Sequence, residues 1–226
     1  MTAISARLMM AADMVRSGVV VADIGTDHAY LPSYLVASGV SPCAIACDLR
    51  QRPLDNARET VERYGLSEKI ELRLSDGLDA LSPGEAQDII LAGMGGTLIS
   101  QILERAGWIR DKDTHLILQP MTHAEDVRIF LCRNGFEILE ERVCEDDGRI
   151  YIAICAAFSG AERTTPDGYE FYGGLDRGNA LARRYVLRQY SRIKKRAESL
   201  RAAGIKADEA AYCERCCAGI EENFLN

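Results

Sequence analysis

The sequence predicts a doubly wound, mostly parallel α/β sheet with an antiparallel edge hairpin, followed by a C-terminal α-helical coiled-coil hairpin. Three observations carry this. Apolar runs of strand length alternate with stretches of helical spacing from Val19 to Asn134. Four of those runs stop at an acid or a glycine cluster: Asp23-Ile24-Gly25, Asp48, Asp76-Gly77 and Gly93-Met94-Gly95-Gly96. Beyond Gly174 the strand pattern gives way to two helices with matched apolar seams.

Taken in order, Ile4, Leu8, Ala11, Ala12 and Val15 recur at spacings of three and four, which predicts an amphipathic helix ending at Gly18. Val19 to Ala22 is a run of small and β-branched residues, a strand buried on both faces, and helical spacing resumes from His28 to Ser38. Pro42 to Leu49 reads as the second strand, Pro53 to Tyr64 as a polar helix closed by Gly65, and Ile70 to Leu74 as the third strand. Asp88 to Ala92 is the fourth strand, with a helix from Leu98 to Ala106 behind its glycine loop. His115 to Leu118 is the fifth, running into Gln119-Pro120 and a helix from His123 to Asn134. Phe136 to Val143 and Arg149 to Phe158 are strand-like and joined by a link too short for a parallel crossover, so they pair antiparallel at the sheet edge.

Ser159 to Gly174 reads as a linker. After it, Val186, Tyr190, Ile193, Ala197 and Leu200 form one seam and Ala210, Cys213, Cys217, Ile220 and Phe224 another, with Gly204 between them: an antiparallel helical hairpin.

With 47% hydrophobic and 27% charged residues, the chain can build a real core. No apolar run approaches the roughly 18 residues that span a bilayer, so a cytoplasmic protein is expected. The eight cysteines are irregularly spaced, which suits reduced thiols better than a disulfide framework. Cys213, Cys216 and Cys217 lack the second cysteine pair or nearby histidine that a structural zinc needs, so no metal is expected. The net charge of −7 argues against nonspecific nucleic-acid binding, yet residues 176–206 hold ten Arg or Lys against two acids, leaving the remainder at −15.

Acids ending successive strands beside a glycine turn suit a cofactor with an adenosine moiety: backbone approaches the ligand at Gly25, a carboxylate accepts from two ribose hydroxyls, and a polar loop meets the adenine edge. Asp48 lies 23 residues after Gly25, close to the interval of about 20 expected for the ribose acid. Asp27 and Ala29 stand where a dinucleotide site needs glycines, and Asp27 would repel a pyrophosphate. S-adenosylmethionine, which carries a sulfonium cation and no phosphate, fits better.

The sequence resembles the bacterial tRNA (adenine-22-N1)-methyltransferases, the TrmK family. The resemblance rests on Asp23-Ile24-Gly25-Thr26-Asp27-His28-Ala29-Tyr30-Leu31-Pro32, on Ala92-Gly93-Met94-Gly95-Gly96 where many adenine N-methyltransferases carry Asn/Asp-Pro-Pro-Tyr, and on Leu118-Gln119-Pro120. It implies a Rossmann-like methyltransferase domain over residues 1–160 and a helical coiled-coil domain over 161–226. It also implies methyl transfer from S-adenosylmethionine to N1 of adenine 22 in the D-arm of tRNA.

On this reading Asp23, Gly25, Asp48, Leu49, Asp76, Gly77 and Gly93 form the cofactor set. Family members often show Asn-Gly in place of Asp76-Gly77, and Asn in place of Met121. The sulfonium methyl is already activated and the methylated ring carries positive charge, so alignment and nearby negative charge matter more than a strong base. Asp27 is the best-placed carboxylate, and His28 joins it as the second candidate catalytic residue. Arg188, Arg192 and Lys195 lie on neighbouring turns of one helix face and are the candidate tRNA phosphate contacts. A monomer is expected. The competing readings are an enzyme using the same cofactor on another substrate, and an inactive cofactor-binding protein that binds RNA.

Overall fold

The computed structural model describes residues 4–226, in two compact units that divide after Glu162. The first unit runs α1 (Ala6–Ala12), β1 (Val21–Ile24), α2 (Tyr30–Ala37), β2 (Ala44–Asp48), α3 (Gln51–Arg63), β3 (Ile70–Leu74), β4 (Asp88–Gly95), α4 (Gly96–Arg105), β5 (His115–Thr122), α5 (Ala124–Arg133), β6 (Phe136–Asp146) and β7 (Arg149–Phe158). Its strands form one sheet in the order β3-β2-β1-β4-β5-β7-β6. The first five are parallel, and β7 runs antiparallel to both β5 and β6. The expected doubly wound sheet with an edge hairpin is therefore what forms.

Local chemistry explains the pieces. β1 and β2 are buried along their whole length, as strands flanked on both sides in a parallel sheet must be. Asp147 and Gly148, at φ 48° and 70°, make a two-residue turn whose paired left-handed residues match the twist of β6 and β7. The Arg128 guanidinium meets Glu141 at 2.7 Å with both side chains at most 1% exposed, tying α5 to β6.

Two expectations need correction. The first helix does not continue to Gly18. It ends at Ala12, and the Arg16 backbone N–H donates to Asp88 Oδ2 at 2.8 Å instead of to a carbonyl one turn back, while its Nε donates to Asp88 Oδ1. The segment from Ser159 to Gly174 is not all linker either. It contains α6 (Tyr169–Tyr172), held because Phe171 and Tyr172 bury their rings and Tyr172 lies 5.8 Å from Phe224.

The second unit adds α7 (Ala180–Ala203) and α8 (Ala207–Ile220). Asn179 caps α7 by accepting from Leu181 N and Ala182 N, and Gly204 ends it at φ 65°. Val186, Ile193 and Ala197 on α7 and Ala210, Cys213 and Ile220 on α8 are buried as the seams require. Cys216, left out of the predicted seam, is more buried than Cys217 because it faces Glu170 of α6, with its Sγ 3.6 Å from Oε1. All eight cysteines are free thiols.

The expected glycine loop after Ala92 is instead the end of β4 and the start of α4, and its glycines do different things. Gly93 adopts φ 86° and lets the strand bulge, whereas Gly96 is required by contact, since a Cβ there would lie 2.0 Å from the His123 carbonyl oxygen. Gly95 has more room, with Thr122 Oγ1 at 3.3 Å from the same position. Gly96→Ala is expected to destabilise the fold by about 2–3 kcal/mol and Gly95→Ala by under about 1 kcal/mol. Urea denaturation of both variants checks this, and equal midpoints would contradict it.

Candidate active site

At the carboxyl ends of β1 and β4 lies a cavity of about 240 Å³ lined by Arg7, Asp23, Gly25, Asp27, His28 and Tyr30 among others. Larger hollows exist, one of about 410 Å³ by the amino ends of β2 and β3 and one of about 540 Å³ on the helical hairpin. Ligands of open parallel sheets lie outside the carboxyl strand ends, and only the smallest of the three gathers a glycine turn with convergent charges. Geometry outweighs size here.

The turn after β1 is built on one acceptor. The Cys47 carbonyl takes hydrogen bonds from Gly25 N at 2.8 Å and Thr26 N at 2.9 Å, and Gly25 reverses the chain at φ 79°. Ala29 then adopts φ 51° as it opens α2, an unusual conformation for a residue with a Cβ. Asp23 sits beneath this turn, 6% exposed, and accepts from the Thr26 hydroxyl. Burial pushes its carboxyl up from the usual 3.8 to about 6; the Thr26 hydrogen bond pulls the other way, and the nearby Asp48 carboxylate adds to the rise.

Of the predicted residues, Asp23, Gly25, Asp27 and His28 line this cavity, whereas Asp48, Leu49, Asp76, Gly77 and Gly93 are not among its lining residues. Asp48 is 8% exposed, and its Oδ1 accepts the Arg50 N–H at 2.8 Å. Among the described residues its Oδ2 receives no hydrogen bond. Leu49 is 62% exposed at the end of β2, next to Leu74, the residue in register with Asp48 and exposed to a similar extent. Asp27 is exposed and lies 3.5 Å from His28 Nε2. Asp76 is not a free acceptor: both its oxygens are held by Arg105 of α4, at 2.9 and 3.1 Å, which keeps its carboxyl below the usual range. Gly77 turns at φ 61° beneath that pair. Cys47 is no nucleophile, because burial holds its thiol pKa up to about 12.

Sequence reasoning missed Arg7. It comes from α1, its Nη1 donates to Oε1 of the fully buried Gln119 at 3.1 Å, and a Cβ on Gly93 would lie 3.5 Å from it. It is the one basic side chain among the cavity-lining residues besides the imidazole of His28. Nothing in the local pattern of the first helix marks it out.

Residues 4–154 match the family described as a methyltransferase domain. The chain is 40% identical to the tRNA (adenine(22)-N(1))-methyltransferase of Bacillus subtilis over 183 residues, covering 80% of this chain and 75% of that protein. The chain belongs to the tRNA (adenine(22)-N(1))-methyltransferase family. The crystal structure of the B. subtilis m1A22 tRNA methyltransferase TrmK superposes with a TM-score of 0.84 at 30% identity, over 97% of this chain and 96% of the other. The Streptococcus pneumoniae protein Sp1610, in complex with S-adenosyl-L-methionine, matches with a TM-score of 0.80 at 30% identity, over 95% and 100% of the two chains.

The helical unit of this methyltransferase holds the remaining candidates. Arg188, Arg192 and Lys195 are exposed on α7, and the Arg192 guanidinium stands 6.0 Å from the Phe171 ring centre. Three other cations of the basic stretch are matched by acids of α8: Arg196 and Lys206 by Glu209, and Arg201 by Glu214. Among the described residues no cluster of His, Cys, Asp or Glu could hold a metal ion.

The raised Asp23 carboxyl gives a pH prediction. Its folded value lies above the unfolded one, so the native state keeps a proton that the unfolded chain has lost between about pH 4 and 6. Stability should therefore fall as pH rises through that window, by a total of about 3 kcal/mol, and level off above it. Denaturation of the ligand-free protein across pH 4–7 should show a shallower fall in Asp23→Asn than in the parent. An unchanged slope would remove the assignment.

Proposed function

We propose that the protein transfers the methyl group of S-adenosyl-L-methionine to N1 of adenine 22 in the D-arm of tRNA. The observation that carries this reading is the 40% identity to the B. subtilis enzyme over 80% of the chain.

The residues of the cavity fit the cofactor. Its amino and sulfonium groups are cations, matched by Asp23 and Asp27; its carboxylate is an anion, matched by Arg7; and outside the cavity lining Asp48, whose charge reaches Asp23, keeps Oδ2 as an acceptor for ribose hydroxyls. When bound, S-adenosylmethionine supplies a methyl group on cationic sulfur that needs no further activation. The chain's own part is to orient and to place charge. Leu49 and the backbone at Gly77 offer an apolar side and a close backbone approach for the adenine end, with Asp76 kept in place by Arg105. The Arg7 guanidinium lies beside Gly93, whose backbone angle of 86° is what favours a glycine there. Asp27, beside the His28 ring, keeps negative charge at the cavity where the substrate ring becomes cationic.

The helical unit supplies tRNA affinity through phosphate contacts from Arg188, Arg192 and Lys195. Support comes from the concentration of ten cations in residues 176–206 of an otherwise acidic chain. The same reading makes the protein a cytoplasmic monomer that acts without a metal. Among the described residues no helix is long and apolar enough to cross a membrane.

Mass spectrometry of nucleosides from unmodified tRNA, incubated with the protein and S-adenosylmethionine, should reveal 1-methyladenosine at position 22. Asp27→Asn should lower turnover by about ten-fold or more while S-adenosylhomocysteine affinity stays within a few-fold. Cofactor binding with no methylation of any tRNA would sink the reading. Changing Arg188, Arg192 and Lys195 together to Glu should weaken tRNA binding and reduce its salt slope by up to about three units, with cofactor binding intact. A triple variant that binds tRNA like the parent across a salt titration would make that face ordinary solvated surface.

A further inference from the structure

The reaction needs the target base held flat beside the cavity, yet the carboxyl ends of β4 and β5 offer no ring. Residues 92–96 are Ala, Gly, Met, Gly and Gly, and residues 118–122 are Leu, Gln, Pro, Met and Thr. Among the cavity-lining residues the only aromatic side chains are His28 and Tyr30.

Those two are already stacked on each other, with ring centres 5.1 Å apart and planes 11° from parallel. Ala29 between them is 1% exposed and left-handed, which brings both rings out on one side of the turn. Tyr30 is 41% exposed, and among the described residues its hydroxyl makes no hydrogen bond. A tyrosine that neither fills the core nor bonds through its oxygen has no packing reason to be held at a cavity. His28 stacks on its ring, and at 41% exposure much of the residue remains accessible to a further ring.

We propose that Tyr30, backed by His28, is the platform on which the target adenine stacks. The proposal rests on the tRNA methyltransferase reading and adds the residue that presents the base. A flipped base loses its neighbours in the RNA stack, and an aromatic face replaces part of that loss. Methylation at N1 then leaves the ring positively charged, and the electron-rich face of a phenol attracts a cation lying over it. The ring thus serves both to position the neutral base and to favour the charged one.

The test compares Tyr30→Phe, Tyr30→Trp and Tyr30→Leu. Phe and Trp keep an aromatic face and should retain kcat/KM for tRNA within a few-fold of the parent. Leu should lose about ten- to a hundred-fold, the range that stacking of one base commands. S-adenosylhomocysteine affinity, by calorimetry, should stay within two-fold in all three, which also reports that the fold is intact. A second readout is photocrosslinking of tRNA carrying 8-azidoadenine at position 22, which should map to the peptide containing Tyr30. Turnover of Tyr30→Leu equal to the parent, a parallel loss of cofactor affinity, or a crosslink elsewhere would each overturn the proposal. A parent protein that methylates no tRNA at all would instead remove the functional reading beneath it.

Discussion

The site depends on a single carbonyl group. Cys47 ends its strand with an oxygen that accepts from both Gly25 and Thr26, so the chain leaving β1 is turned at the moment it passes the end of β2. Three things follow from that pin. Asp23 is trapped under the turn with the Thr26 hydroxyl; Asp48 comes close enough to raise its pKa; and the next three residues, Asp27 to Ala29, cross the carboxyl end of the sheet before α2 begins. The arrangement costs stability at neutral pH, because a carboxylate is being kept from water without a cationic partner of its own. A fold selected for stability alone would not keep it, and a ligand cation placed beside it would recover the loss.

Charge is distributed by pairing as much as by composition. The basic stretch of α7 looks like one continuous cation in the sequence, but its distal part is matched by Glu209 and Glu214 of α8, so the hairpin tip is nearly neutral locally. Arg188 and Lys195, which face outward without such partners among the described residues, lie nearer the middle of the helix. In the cavity the reverse holds. Acids dominate, and Arg7 is held on the amide oxygen of Gln119, a neutral acceptor that leaves its charge available to a ligand anion.

How far the sequence could be read follows from the range of each signal. β3 and β7 were legible to the residue, because alternation and turn chemistry are local, and so were the glycine turns at Gly25, Gly77 and Gly93. The acids at the strand ends were legible for the same reason. Arg7 was not, since its partner Gln119 is 112 residues away, and neither was the capture of Asp76 by Arg105 across 29 residues. Arg16 with Asp88 and Arg128 with Glu141 belong to the same class: charges paired by the fold that no periodicity announces. α6 was missed because four residues are too few for a helical repeat, and what holds it is tertiary: the burial of its aromatic rings and the hold of Tyr212 and Cys216 on Glu170.

The glycine-rich stretch from β4 into α4 and the aromatic turn after β1 are two halves of one solution. Gly96 is fixed by contact with the His123 carbonyl and Gly93 by its backbone angle, so this wall cannot carry a large side chain at either point without moving the chain. Met94, the one large side chain of this stretch, is turned onto Gly25, where a Cβ would lie 2.1 Å from its Cε. Beside it, the eight residues from Asp23 to Tyr30 supply a buried acid, a backbone reversal, an exposed acid and a stacked aromatic pair. Concentrating these groups in one turn makes their geometry common property. A substitution that shifts Gly25 or Thr26 on the Cys47 carbonyl moves the acids and the rings together, so its effects on cofactor and on base should be coupled, while a change at an exposed ring alone leaves the turn in place.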